Sequence, residues 1–342
     1  MSQITAAILG CAGTSLSADE GALFRDVQPW GFILFARNIA TPGQVRRLTD
    51  DLRACVGRAD APILIDQEGG RVQRLGPPHW RRYPPAQAYG RLPADDLVLR
   101  REITRLGARL MAHDLAALGI NVDCVPVLDV PSPDGHEIIG DRAYADAPDE
   151  VAQLGRAAAE GLIAGGVLPV IKHIPGHGRA RADSHLHLPV VETGLGELTD
   201  RDFAPFRALS DMPMAMTAHV VYAAIDPKAP ATTSRKLISR VIRGAIGFDG
   251  LLMSDDLSMK ALSGEFTDRA RAALAAGCDM LLHCNGDMRE MQAVLAGAQL
   301  LAGKARARAA AAMARLPRAV EPFDAEAGRA RFDAAFDGRY AG

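Results

Sequence analysis

Eight short apolar runs punctuate the chain, at 4–10 (ITAAILG), 31–36 (GFILFA), 61–66 (APILID), 121–130 (NVDCVPVLDV), 168–173 (LPVIKH), 213–219 (PMAMTAH), 250–255 (GLLMSD) and 278–284 (CDMLLHC). They are apolar at consecutive positions, the pattern of strands buried on both faces of a parallel sheet. Between them the period lengthens to that of amphipathic helices, as at 41–56, 99–119, 149–166 and 234–247. Thr41, Asp149 and Ser234 stand where N-caps are expected, with Pro42 at a first helical position. The alternation predicts an α/β fold, a single (β/α)8 TIM-type barrel across 1–318 that tolerates irregular closure, with C-terminal outer helices. Residues 319–342, rich in alanine and arginine, form a tail packed on the barrel or trailing from it.

Five of the runs end in or carry an ionisable residue near their C-terminal ends: Asp66, Asp129, His173, His219 and Asp255. In a barrel these ends converge on one rim, where active sites are assembled from several strands. An open doubly wound sheet would gather some of them too.

Composition narrows the partners. The 342 residues are 48% hydrophobic, enough for a full core, and a net charge of -2 supplies no basic field for nucleic acid or anionic membrane. No run approaches the ~18 apolar residues of a membrane span. The five cysteines are odd in number, dispersed and mostly set in apolar runs, as reduced thiols are, so a cytoplasmic location is expected. ILGC at 8–11 faintly imitates a lipoprotein cleavage site. MSQIT before it carries no Lys or Arg and the apolar stretch is short, so the segment reads as a first strand. A monomer is the expected state.

Four segments carry candidate chemistry. IDQEGGRVQRL (65–75) places Asp66 at a strand tip as an acceptor for ligand hydroxyls, with Arg71 or Arg74 following; a buried ion pair bracing the turn is the plainer alternative. IIGDRAY (138–144) offers Arg142 on a loop. GLLMSDDLSMKAL (250–262) puts Asp255 and Asp256 where a strand stops, so their side chains diverge, one into the rim and one bracing the turn. A carboxylate facing into such a pocket is the residue type that attacks an anomeric carbon; capping a helix is the alternative.

The fourth segment, KHIPGHGRARADSHLHLP (172–189), holds His173, His177, His185 and His187. A metal site needs three or four converging ligands, and the HxH at 185 and 187 has no cysteine pair or Glu-bearing helix beside it. A solvated loop accounts well for His187, Arg179 and Arg181. It accounts less well for Asp183, two residues before His185, where a carboxylate orients an imidazole and favours its charged form. That pairing makes a general acid.

Taken together, KHIPGHGRARADSHLHLP, SDDLSM and IDQEGGRVQRL resemble glycoside hydrolase family three, specifically its cytoplasmic bacterial β-N-acetylglucosaminidases of the NagZ type, in the right order from roughly residue 5 to 300. The resemblance implies one barrel that releases terminal N-acetylglucosamine from peptidoglycan fragments, N-acetylglucosaminyl-1,6-anhydromuramyl sugars and peptides, in cell-wall recycling. Asp255 is then the nucleophile, His185 the acid and base, and Asp183 its support. Sugar contacts fall to Asp66, Arg74, Arg142, Lys172 and His173, while His177 matches the motif without an assigned role. Ile174 departs from the pattern, standing where an aromatic residue is frequent, and RARA fills the variable middle of the loop. Neither a metal nor a cofactor is expected. The carbohydrate is a small-molecule muropeptide, cleaved with retention, and the loop opening on Pro175, Gly176 and Gly178 is expected to swing. Two rivals remain: a metal-dependent hydrolase built on loop 173–187, and a sugar-binding barrel without catalysis.

Overall fold

The computed structural model describes residues 3–93 and 96–340. Eight strands close a barrel: β1 (Thr5–Gly10), β2 (Pro29–Leu34), β3 (Ile63–Ile65), β4 (Val122–Asp123), β5 (Leu168–Ile174), β6 (Met214–Thr217), β7 (Leu251–Asp256) and β8 (Met280–His283). Each pairs in parallel with its sequence neighbours, and β8 returns to β1 through Ala7 opposite Leu281. All eight apolar runs therefore became barrel strands, as an α/β barrel requires.

Consecutive apolar positions are needed because each strand has two buried faces. Ile8, Ile33, Leu64, Val170, Met214, Met216, Met253 and Leu282 fill the barrel interior. Their alternates, among them Leu9, Phe32, Ile65, Ile171, Leu252 and Leu281, pack outward under the helices. Closure is irregular where the sequence interferes. The run 121–130 gives only two ladder residues, because Pro126 has no N–H to donate; the pairing resumes as a bridge between Val127 and Lys172.

The helices follow the expected pattern with two differences. Thr41 caps Pro42–Val56 by accepting the Gln44 N–H at 3.3 Å. Asp149 does not cap: the helix runs Pro148–Ala164 from Ala147, because Pro148 takes the first helical position and moves Asp149 into the first turn. Ser234 does accept the Leu237 N–H at 3.1 Å, but the helix beyond, Leu237–Ala245, is wound as a π-helix. In the C-terminal segment, Phe332 of the helix Ala325–Ala335 and Phe336 just after it pack against Tyr89, and Asp333 accepts from Arg81. No disulfide forms; Cys11, Cys124, Cys278 and Cys284 are buried and Cys55 is half-buried. Among the described residues no helix is long and apolar enough to cross a membrane.

Candidate active site

The two-residue alternation that fills the barrel also builds the site. Leu64, Val170 and Met253 point inward. The next inward positions, Asp66, Lys172 and Asp255, therefore reach the lumen at its C-terminal mouth. With Arg74, Arg142, His173 and His185 they line one cavity of about 230 Å³.

On one wall the charges alternate. Asp66 accepts from Lys172 Nζ at 2.8 Å and from Arg74 Nη2 at 3.2 Å. Glu68 accepts from the same Lys172 Nζ at 2.7 Å and holds Arg142 with two bonds of 2.8 Å. Burial opposes ionisation of Asp66, but Lys172 and Arg74 outweigh it and hold the carboxyl below its usual range. Glu68 is likewise driven down, against burial, by Arg142 and Lys172. The lysine and Arg142 are raised in turn by their carboxylates. Asp66, Glu68, Lys172 and Arg142 are thus charged at neutral pH, and with Arg74 present fixed donors and acceptors to whatever enters. Phe35 backs the arrangement, with the Arg74 guanidinium 4.9 Å from its ring centroid.

Glu68 is absent from the sequence expectations although it is buried between Lys172 and Arg142. Its signal was its spacing, two residues beyond Asp66 and so on the same face. Because its loss leaves the buried Arg142 without its carboxylate and Lys172 with Asp66 alone, Glu68→Gln is expected to lower stability by about 3–5 kcal/mol, read by urea denaturation.

At the tip of β5, His173 donates through Nδ1 to Asp129 Oδ2 at 2.7 Å, since an ionised carboxylate only accepts. Burial raises the Asp129 carboxyl, but His173 outweighs it and keeps the group below its ordinary range. Two rim candidates are thus supports and not walls: Asp129 lies under His173, and His219 is wholly buried under β7, joining Thr232 at 2.7 Å and the Asp256 carbonyl at 3.0 Å.

At the tip of β7 the two aspartates part. Asp256 accepts from Ser258 Oγ at 2.5 Å, Ser258 N at 3.0 Å and Cys284 N at 3.1 Å, which brace the turn. Asp255 turns to the cavity and, among the described residues, accepts only the Asp256 N–H, at 2.8 Å. Burial opposes its charge, but the His219 and His173 imidazoles and that N–H hold its carboxyl below the usual range. It is therefore an ionised carboxylate with a free oxygen.

The loop after β5 arches across the mouth. His185 lines the cavity, and Asp183 stands behind it, accepting the His185 backbone N–H at 2.8 Å and ring Nδ1 at 2.7 Å. Donation by Nδ1–H leaves Nε2 as the ring nitrogen free to carry a proton in and out. His187 is exposed and off the cavity. His177 is buried among the walls, a histidine the motif contained but chemistry had not used. Arg71 sits at the rim, bonding to Asp141 and to the carbonyls of Glu137, Ile138 and Ile139, so that of the two arginines it is Arg74 that pairs with Asp66. Among the described residues no three His, Cys, Asp or Glu side chains converge as a metal site.

The family model for the glycosyl hydrolase family 3 N-terminal domain matches residues 7–319. The chain belongs to glycosyl hydrolase family 3. This glycoside hydrolase is 42% identical over 285 residues to the Beta-hexosaminidase of Alkalilimnicola ehrlichii, covering 81% of this chain and 80% of that one. It is 38% identical over 301 residues to the Beta-hexosaminidase of Pseudomonas aeruginosa, covering 86% of each. The structure of NagZ from Neisseria gonorrhoeae in complex with N-trifluoroacetyl-D-glucosamine superposes with a TM-score of 0.85 at 32% identity, covering 99% of both chains.

Proposed function

We propose that this family 3 hydrolase is a retaining exo-β-N-acetylglucosaminidase that releases terminal N-acetylglucosamine from peptidoglycan fragments of the N-acetylglucosaminyl-1,6-anhydromuramyl class, in the cytoplasm, for cell-wall recycling. The observation that carries the reading is the pairing, across one cavity, of an ionised Asp255 with a His185 whose Nδ1 is fixed by Asp183. The names of the relatives support the sugar. The cavity volume, about 230 Å³, suits one sugar ring and not a chain, which favours exo cleavage.

In this mechanism Asp66, Arg74, Arg142, Lys172 and His173 hold the hydroxyl and acetamido groups of the terminal sugar. Asp255 attacks the anomeric carbon while His185 Nε2–H protonates the departing glycosidic oxygen, giving a glycosyl ester and free aglycone. The neutral imidazole then takes a proton from water, whose oxygen attacks the anomeric carbon and releases Asp255. Two inversions retain the configuration. The rival in which the acetamido oxygen attacks requires a second carboxylate to orient the amide. Asp256 is poorly placed for that, its oxygens already filled by Ser258 and Cys284.

Incubation with 4-nitrophenyl N-acetyl-β-glucosaminide tests the function: release of nitrophenol that persists in excess EDTA is expected. Release abolished by EDTA and restored by zinc would instead support the metal-dependent rival.

The pH profile follows from the site. Asp255 must be ionised, and its carboxyl is held below the usual range, so it charges at lower pH than an ordinary carboxylate. The acid limb of kcat/KM is therefore expected under the ordinary carboxylate range. His185 must deliver a proton, and Asp183 fixes its ring by accepting from Nδ1 at 2.7 Å. Asp183→Asn is therefore expected to lower kcat/KM by about 10-fold or more on an alkyl glycoside and far less on a dinitrophenyl one. Equal losses on both substrates would contradict the pairing.

A further inference from the structure

An acid must be held still over its target, yet the His185 side chain is 60% exposed. The root of its loop is fixed. A Cβ on Gly178 would lie 1.9 Å from the Val130 carbonyl oxygen, and the Gly176 carbonyl accepts from Tyr222. These glycines let the loop lie against the barrel instead of loosening it, which places any swing farther along. Arg179 is then tied to Asp202 at 2.8 Å and to Glu197 at 2.7 Å.

From Arg181 to Leu188 the chain is exposed or half-exposed at every position but one. The exception is Ser184, buried between the two residues of the acid pair. Its Oγ lies 3.0 Å from His177 Nε2. His177 is also buried, and its backbone N–H donates at 2.6 Å to Asp129 Oδ1, of the same carboxylate that holds the His173 ring. Burial, with the neighbouring His173, pushes His177 down to about 4, so the ring adds no charge of its own to the cavity at neutral pH. Among the described residues its Nδ1 has no hydrogen-bond partner, so Ser184 is the one hydrogen-bonding contact its side chain makes there.

We infer that His177, through Ser184, is the positioning residue that seats the Asp183–His185 pair over Asp255, and that Asp129 joins this seat to the sugar-binding His173. The inference rests on the reading of His185 as acid and base. Ser184 is one peptide from each member of the pair, so fixing its Oγ fixes both. Without that bond the loop tip retains the backbone bonds from Lys260 to His185 and from Ala261 to Ser184, at 3.4 and 3.2 Å, which restrain the main chain but are weaker by length.

The consequence is a defect confined to proton delivery. Wild type, Ser184→Ala, Ser184→Thr, His177→Asn and His185→Ala are compared on an alkyl and a 2,4-dinitrophenyl N-acetyl-β-glucosaminide, with inhibition by N-acetylglucosamine as a check on the sugar pocket. Ser184→Ala and His177→Asn are expected to lose about 10- to 100-fold in kcat/KM on the alkyl glycoside and under about threefold on the dinitrophenyl one, with product inhibition unchanged. Ser184→Thr, which retains the hydroxyl, recovers the alkyl rate. Equal losses on both substrates, or no loss on either, while His185→Ala remains selective, overturn the seat and leave the acid standing. A His185→Ala enzyme that loses both substrates equally overturns the acid and the seat with it.

Discussion

Asp255→Asn is expected to reduce kcat/KM by about four orders of magnitude or more on any N-acetyl-β-glucosaminide, the scale seen when a covalent nucleophile is removed. The amide keeps the volume of the carboxylate, and its oxygen still accepts the Asp256 N–H now bonded at 2.8 Å. What disappears is the negative charge and the free oxygen that the proposed mechanism uses to form the ester. Binding of N-acetylglucosamine as product should persist, because Asp66, Glu68, Lys172 and the two arginines form their network without Asp255. Steady-state kinetics with product inhibition separates the two effects. A variant that kept substantial turnover would move the reaction to another nucleophile, the acetamido group first among them.

His185→Ala carries the second large effect, and its size depends on the leaving group. An alkoxide or sugar oxygen must be protonated as it departs, so such substrates should lose about 10²- to 10⁴-fold in kcat/KM. A dinitrophenolate leaves unaided, and its loss should stay within about tenfold. In the proposed double displacement the imidazole also activates water for deglycosylation, so the activated substrate should build up glycosyl-enzyme, seen as a burst of dinitrophenol ahead of a slower steady state. Uniform losses would mean that His185 shapes the pocket without transferring a proton.

Much of the fold was legible because a buried parallel strand leaves a simple trace. The eight runs became eight strands in order. The misses are local. Asp149 has the chemistry of a cap, but Pro148 before it claims the first helical position. The fourth run looked longest, yet Pro126 within it cuts the ladder to Val122–Asp123 and one bridge. The π-helical winding of Leu237–Ala245 left no mark on a pattern read at ordinary helical period.

In the site, legibility divides between near and far neighbours. The divergence of Asp255 and Asp256 and the pairing of Asp183 with His185 join residues one or two apart, so local geometry suggested both. Glu68 had the right spacing, but its importance comes from Arg142, 74 residues away, and Lys172. The same holds for Asp129 and His219, which stand at run ends like wall residues and prove to be buried braces. No periodicity tells whether an inward carboxylate meets a ligand or another side chain; its partners across the barrel decide that.

The most direct measurement is a trap on the first step. A 2-fluoro glycosyl fluoride slows both displacements while its good leaving group still departs, so an ester accumulates if one forms at all. Peptide mapping by mass spectrometry is expected to find the sugar on the peptide containing Asp255, at that residue. A label on a different residue, or no label from an enzyme that still binds the reagent and turns over ordinary substrates, would contradict the double displacement on which the account stands.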